Sequence, residues 1–165
     1  MSIFVLIIFL YNSIINTKFN VRRLFVDELD IYKINNGKSK NIKIGELTQD
    51  TIDILGLNLK PQNIFIWSPR ISEHCEKHKD EYSSVQEYDK AIKSIPQIIQ
   101  NPDYIGLHSN GNIQYIKQIG DISLVGVKII KGDNNLLFRT IFPITEDKLE
   151  YYIKTKKVYK YKKEK

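Results

Sequence analysis

Residues 104–143, which read YIGLHSNGNIQYIKQIGDISLVGVKIIKGDNNLLFRTIFP, decide the fold of this chain. They are rich in β-branched and aromatic residues, and polar turn sequences interrupt them at 109–112 (SNGN) and 132–135 (GDNN). Short β-favouring runs between such turns are typical of consecutive antiparallel strands. The stretch therefore predicts a four-stranded meander, with strands at 104–108, 113–119, 122–131 and 136–143.

A helix is predicted just after a short apolar strand at 63–67. Ser68 is a good cap residue, and Pro69 suits the first helical position that follows it. Apolar residues then recur at helical spacing and mark the side of the helix that packs on the rest of the domain. This stripe consists of Ile71, Cys75, His78 and Tyr82.

Further helices are indicated by capping residues. Thr48 is expected to cap a short helix at 49–56, and Thr145 a last helix near the C-terminus. Residues 84–87 (SVQE) form a capping box, and Pro96 is expected to end the helix that it opens. Earlier strands are predicted at 24–34 and 41–47 as a hairpin. The fold class that follows is α+β, with helices packed on a four-stranded antiparallel sheet and a small N-terminal β/α extension.

Composition and charge limit the classes of protein. The 165 residues are 42% hydrophobic and 27% charged, which is typical of a folded globular domain. A single cysteine excludes an intrachain disulfide framework and a cysteine-rich zinc site. Residues 154–165 hold seven lysines and one glutamate, which equals the whole net charge of +6. We expect an apolar N-terminal extension at 1–23, one domain at 24–155 and a mobile lysine-rich tail at 156–165.

The apolar N-terminus allows two interpretations. Residues 3–10 form an unbroken apolar run that is much shorter than the roughly 20 residues needed to span a bilayer. No basic residue precedes the run, as one would in a secretory signal. We therefore favour a packing element in a cytoplasmic protein, with membrane contact of residues 3–15 and delivery into another cell as alternatives.

Two of the three histidines, His74 and His78, lie four residues apart on the predicted first helix. Histidine can both give and take a proton near neutral pH, and this spacing places two rings on one helix face. Arg139 and Thr140 on the last predicted strand offer a cation and a hydroxyl opposite them. Successive strand residues point to opposite faces, so at most one of these two can face His74 unless a bulge intervenes.

Other chemistry at this segment is less favoured. Two histidines in an HxxxH pair could bind zinc, but the metalloprotease form HExxH is absent and a third ligand is not evident. Cys75 lies on the apolar stripe, so we interpret it as a small core residue rather than a nucleophile. Trp67 is likewise interpreted as core. The sequence shows no glycine-rich phosphate loop, and we predict neither a metal nor a cofactor.

The motifs resemble those of the phage barnase/EndoU/colicin/RelE-like nuclease (PBECR) domains over roughly residues 40–155. The similar stretches are 66–68 (IWS), 74–78 (HCEKH), 95–105 (IPQIIQNPDYI) and 139–143 (RTIFP). The resemblance implies one or two helices on a four-stranded antiparallel sheet and a metal-independent RNA cleavage activity in a toxin or in conflict between mobile elements. It carries the helix motif to His74 and His78 and the late-strand motif to Thr140, with Arg139 beside it.

The function predicted from the sequence is that of an endoribonuclease, a toxin or conflict effector of a prophage or mobile element. One of His74 and His78 is expected to be the general base, and the other, or His108, the general acid. RNA, with tRNA as one candidate, and an immunity protein are the expected partners. The alternative is a catalytically inactive nucleic-acid-binding or phage accessory module of the same fold. The lysines expected to contact RNA are Lys117, Lys128, Lys156, Lys157 and Lys160.

Overall fold

The computed structural model describes residues 41–130, 132 and 134–161. One seven-stranded sheet, in the order β1-β2-β6-β5-β4-β3-β7, runs through them. Neighbouring strands are antiparallel, except that β2 and β6 are parallel. The strands are β1 (Asn41–Leu47), β2 (Gln62–Trp67), β3 (Tyr104–Leu107), β4 (Ile113–Ile119), β5 (Asp121–Lys128), β6 (Asn135–Pro143) and β7 (Val158–Lys160).

The α+β class is confirmed, but the predicted sheet of four antiparallel strands is only part of a larger mixed sheet of seven. The predicted meander forms β3 to β6 at the centre, and three further strands extend it on both sides. Strand β2 joins β6 in parallel because the chain returns through helices before it enters the meander. Strand β1 pairs with β2, whereas its predicted partner at 24–34 lies outside the described residues.

Three helices begin at the predicted caps. Thr48 accepts a hydrogen bond from the Thr51 amide, and Ser84 and Thr145 cap their helices in the same way. Pro96 does not stop the chain from being helical. It lies in the first turn of an extra helix, where its missing N–H costs nothing. The helices are α1 (Gln49–Leu55), α2 (Val85–Lys93), α3 (Ile95–Gln100) and α4 (Glu146–Lys154).

The sheet buries apolar residues on both faces. Helices α1, α2 and α3 contribute to the larger core, whose strand residues include the fully buried Tyr115 and Val125. The next residue along each strand points the other way, so Ile116 and Leu124 belong to a smaller core. Tyr152 of α4 packs on this second core. We call the two sides the three-helix face and the α4 face.

Part of the predicted lysine-rich tail belongs to the sheet. Val158–Lys160 forms β7 and pairs with β3, and Val158 is almost fully buried. Tyr161 is also buried, and its amide donates to the Asp103 carbonyl oxygen at 3.0 Å. Apolar side chains between the lysines explain this difference, because charge alone does not keep a segment off a sheet edge that can bury them.

The N-terminal predictions lie outside the described residues. They concern the extension at 1–23, with its contact segment at 3–15. Within residues 41–161, as far as the structure describes them, no helix has the length and hydrophobicity to cross a membrane.

Candidate functional site

A β-bulge in β6 brings Arg139 and Thr140 to the same face of the sheet. Phe138 pairs with Val127 and Thr140 with Gly126, so Arg139 is an extra residue on β6. Phe138 and Ile141 are both buried in the larger core, although a regular strand would place them on opposite faces. The two residues between them therefore both belong to the α4 face.

A contact between Thr140 and β5 supports the assignment of the Thr140 side chain to the α4 face. Its Cγ2 atom lies 3.5 Å from the position that a Cβ on Gly126 would occupy. Thr140 therefore leans over Gly126, which lies two residues beyond Leu124 of the smaller core. The bulge that would be needed for Arg139 and Thr140 to act together is thus present.

The histidines lie on residues 71–81, which we call the histidine segment. It is a π-helical turn at Ile71–Cys75 followed by a 3-10 turn at Glu76–Glu81, not the predicted α-helix. The two turns change the local period, which a sequence pattern of i, i+4 and i+7 does not reveal. Ile71, Cys75 and Tyr82 are buried as expected, while His78 keeps 31% of its side chain exposed.

The histidine segment runs along the edge of β6. Strand β2 pairs with β6 only as far as Leu137, and the histidine segment packs against β6 beyond that point. The backbone of Ile141 makes a hydrogen bond with the Cys75 thiol. The rings of His78 and Phe142 lie 5.5 Å apart between centroids. Both histidines are thereby held beside the strand that carries Arg139.

His74 lies in a positively charged environment. Partial desolvation lowers the pKa of His74 from its ordinary value of 6.5, and the positive charges of Arg70 and Lys77 lower it further. Arg139 acts in the same direction, whereas Glu73, whose carboxylate lies 3.9 Å from Nε2, opposes the shift. With 38% of its side chain exposed, His74 is accessible to a ligand, and the lowered pKa favours its neutral, proton-accepting form.

His78 is held by a carboxylate. Its Nδ1 atom lies 2.7 Å from Oε1 of Glu81, three residues along the same turn. A carboxylate accepts hydrogen bonds, so this contact places the proton of the neutral ring on Nδ1. The other ring nitrogen, Nε2, remains for a ligand.

Neither His108 nor Lys117 joins this group. His108 follows β3, three strands from β6, which corresponds to about 14 Å at the usual strand spacing. Its Nδ1 accepts a hydrogen bond from the Asn110 amide in the β3–β4 turn. Lys117 is 14% exposed and its Nζ atom lies 3.3 Å from Asp103. His108, predicted as an alternative general acid, therefore lies apart from His74, and Lys117, predicted to contact RNA, is already paired with a carboxylate.

The remaining predicted lysines divide into two groups. Lys128 is exposed at the end of β5, opposite Leu137 of β6, on the strand that neighbours Arg139. Lys156, Lys157 and Lys160 instead lie at the α4–β7 end, and β7 is four strands from β6. Lys157 lies over the ring of Tyr151, with Nζ 4.9 Å from the centroid. These three lysines form a separate basic surface rather than part of the histidine site.

Four residues near the site were not predicted. Trp67 is 42% exposed and not in the core, because Ile64 and Ile66 take the buried side of β2. Strand alternation was the signal that could have shown this. Phe65 pairs with Leu137, so Trp67 and Arg139 stand two residues further along their parallel strands. The other three residues that sequence reasoning missed are Arg70, Lys77 and Glu81.

Cys75 is a core residue, as predicted. It is fully buried, and burial raises the pKa of its thiol to about 12. A thiol in that state is a poor nucleophile and metal ligand. Across the described residues, no group of histidine, cysteine and carboxylate side chains has the geometry to hold a metal ion.

The structure is therefore an α+β domain with a mixed sheet covered by helices and with two histidines beside a basic bulge. The sequence model of the family described as phage-Barnase-EndoU-ColicinE5/D-RelE like nuclease3 matches residues 42–151, and the chain belongs to this family. The resemblance drawn from the motifs is confirmed. The search of curated proteins and the search of solved structures each gave no significant match. Membership of this family indicates a nuclease.

Proposed function

We propose that this domain is a metal-independent endoribonuclease in which His74 and His78 supply acid–base catalysis. The observation that supports the proposal best is the arrangement at β6. The histidine segment runs along the strand at the point where the bulge exposes Arg139, and Arg139 lies close enough to His74 to affect its pKa. A phosphodiester placed there meets a base, an acid and a cation.

The environments of the two histidines support different roles. His74, whose neutral form is favoured, would accept the proton of the ribose 2′-OH as its oxygen attacks the adjacent phosphorus. The bond from phosphorus to the 5′-oxygen then breaks, and His78 would give its proton to that leaving oxygen. For this step His78 would act as its imidazolium and donate from Nε2, since Glu81 holds the proton on Nδ1. The products are a 2′,3′-cyclic phosphate and a free 5′-hydroxyl.

Residues of the sheet would bind the phosphate. Arg139 offers a planar group that can donate two parallel hydrogen bonds to phosphate oxygens, and Thr140 adds a hydroxyl on the same face. Lys128 on the neighbouring strand would attract the RNA backbone without sequence preference. The charge that develops on the phosphate in the transition state would then be stabilised by groups already in place.

The biological role that we infer is that of a toxin or conflict effector of a prophage or mobile element. The family's description associates it with phage, and its own chemistry would be harmful to a host cell. An immunity protein and an RNA substrate, with tRNA as one candidate, would be its partners. A single cysteine kept as a buried free thiol is compatible with action in the cytoplasm, whether of the producing cell or of a target cell.

The test is cleavage of RNA in the presence of EDTA. Purified full-length protein is incubated with total RNA beside the His74→Ala/His78→Ala double variant and the matched control His108→Ala. Circular dichroism checks that all three are folded. We expect EDTA-resistant cleavage by the wild type and by His108→Ala, with 2′,3′-cyclic phosphate ends, and none by the double variant.

Two results would contradict the proposal. Cleavage that survives in the double variant would exclude the histidines as the catalytic groups. Intact RNA with the wild type, together with RNA binding that the double variant retains, would favour the inactive binding module.

A further inference from the structure

A cleft of about 440 Å³ adjoins the histidine site. It opens where β6 ends and β5 begins, and its volume is in the range of sites for small organic groups. Glu81, the partner of His78, forms part of its wall. The cleft therefore shares Glu81 with the proposed catalytic site. Other lining residues used below are Ser83, Gly120, Asp121, Ile122, Pro143 and Glu146.

A set of polar contacts builds one side of the cleft. The carboxylate of Asp121 accepts two hydrogen bonds from Ser83, one from its amide at 2.7 Å and one from its hydroxyl at 3.0 Å. The Asp121 amide in turn donates to Glu87 of α2 at 3.2 Å. Between them Gly120, at φ 74°, leaves no room for a side chain, because a Cβ would overlap the Glu87 carboxylate. The wall is thus fixed before any ligand arrives.

The lining favours a ligand that donates hydrogen bonds. Within the described part of the chain, Glu81, Asp121 and Glu146 line the cleft and no lysine or arginine does. A phosphate would be repelled there, whereas N–H groups would be accepted. Ile122 and Pro143 add an apolar surface against which a flat ring can pack. Glu146 is exposed and makes no ion pair or side-chain hydrogen bond with another described residue, so its carboxylate is available.

We propose that this cleft binds a nucleobase with an exocyclic amino group, on the RNA strand close to the cleaved bond. The inference rests on the proposed function, because it takes the ligand to be RNA. Pro143 lies four residues from Arg139, about 13 Å along an extended strand, with His78 packed on Phe142 between them. A strand whose phosphate lies at Arg139 can therefore place a neighbouring base in the cleft.

A comparison of cytosine with uracil shows why an exocyclic amino group should determine which base the cleft binds. Cytosine presents a donor N4–H₂ beside one ring acceptor. Uracil presents its single N3–H between two carbonyl oxygens, which a carboxylate wall repels. A site built to accept hydrogen bonds from a ligand discriminates strongly against an analogue that cannot donate them. We therefore expect the cleft to prefer cytosine, and likewise adenine or guanine, to uracil.

The test uses nucleosides, which contain no bond that the enzyme could cleave. Cytidine and uridine, which differ in the 4-amino against the 4-oxo group, are titrated separately into full-length ¹⁵N-labelled protein. Backbone amide shifts are followed by NMR. We expect cytidine to shift the amides of Ser83, Gly120 and Asp121 and to bind about tenfold more tightly than uridine.

Matched variants then assign the effect to the cleft. Glu146→Gln removes a carboxylate that lines the cleft, and Asp147→Asn removes the same charge from the same turn of α4 but outside the lining. We expect the preference for cytidine to fall in Glu146→Gln and to persist in Asp147→Asn. Both residues are exposed, so both variants should fold.

Three results would overturn the inference: equal affinity for the two nucleosides, shifts centred on Arg139 and Trp67 instead of the cleft, or no shifts at the solubility limit of the nucleosides. None of them depends on cleavage, so the base site and the nuclease activity can fail independently. Cleavage without binding of cytidine would refute the base site alone, and binding of cytidine without cleavage would refute the nuclease alone.

Discussion

The Nδ1 atom of His78 lies 2.7 Å from the carboxylate of Glu81, so one turn of the chain carries both an imidazole and the group that orients it. Replacing Glu81 by glutamine keeps the size of the side chain but removes the carboxylate that accepts the Nδ1 hydrogen bond and orients the ring. We expect cleavage to slow by about 10- to 100-fold, less than the roughly 10²- to 10⁴-fold expected when His78 itself is removed. Single-turnover cleavage of a labelled RNA measures both.

Glu76→Gln is the control for that experiment, because Glu76 is exposed on the same 3-10 turn. An equal loss of activity in both variants would show that cleavage depends on the negative charge of this turn as a whole and not on the contact of Glu81 with His78.

The acidity of His74 should depend on its neighbours. We expect NMR titration to give a pKa of His74 below 6.5. Because the base must be neutral to accept a proton, the cleavage rate should decline on the acidic side with a midpoint that also lies below pH 6.5. Lys77→Gln should raise the pKa and move that midpoint to higher pH. Lys79→Gln is the control, since Lys79 points to the ring of Tyr88.

The same shift has a consequence for stability. The folded protein takes up the His74 proton less readily than the unfolded chain, so a fall in pH from about 6.5 weakens the fold slightly at this site. A pKa of His74 at or above 6.5 would contradict the account of its environment.

Trp67 is the only tryptophan of the chain, so its fluorescence reports on the site directly. We expect single-stranded RNA to change this fluorescence and the affinity to fall steeply with added salt, because phosphate contacts release counterions. Trp67→Ala should weaken the binding of fluorescein-labelled RNA by about 1–3 kcal/mol if a base stacks on the ring. Tyr159→Ala, which removes an equally exposed aromatic residue on β7, should change it less.

Two changes at Arg139 test separately whether the extra residue of the bulge is needed for stability and whether its guanidinium group is needed for cleavage. Deleting the residue would leave a regular strand in which Phe138 and Ile141, now two residues apart, still face the same core, so we expect the free energy of unfolding to change by no more than about 1–2 kcal/mol while cleavage is lost. Arg139→Ala keeps the bulge, and we expect a change within about 0.5 kcal/mol but a loss of cleavage. Urea denaturation and RNA cleavage distinguish the two. A loss of more than about 4 kcal/mol in the deletion variant would show that the core depends on the extra residue.

The end of β7 can be tested by truncation. The reference is a chain that stops after Tyr161, which keeps β7 and the buried Tyr161. One that stops after Lys157 loses the buried Val158 and Tyr161, and we expect it to be destabilised by about 3 kcal/mol. Thermal unfolding followed by circular dichroism measures both. Equal stability of the two would support a mobile tail from residue 156 onwards.

Local patterns predicted the pieces of this domain well. Thr48, Ser84 and Thr145 begin helices as expected, because a cap acts through hydrogen bonds within four residues. The meander strands also agree, since turn residues and β-branched runs act locally. The pair His74 and His78 was recognisable from spacing alone, and the family resemblance came from the same short motifs.

Relationships between distant segments had to come from the tertiary structure. The bulge at Arg139 exists because Phe138 and Ile141 must both enter one core, a demand that comes from the helices packed there. The parallel contact of β2 with β6, the exposure of Trp67 and the separation of His108 depend on strand order, which no local pattern contains. Residue types and their spacing specify which chemistry is available, whereas packing between segments far apart in the chain decides which of those groups can meet at one phosphate.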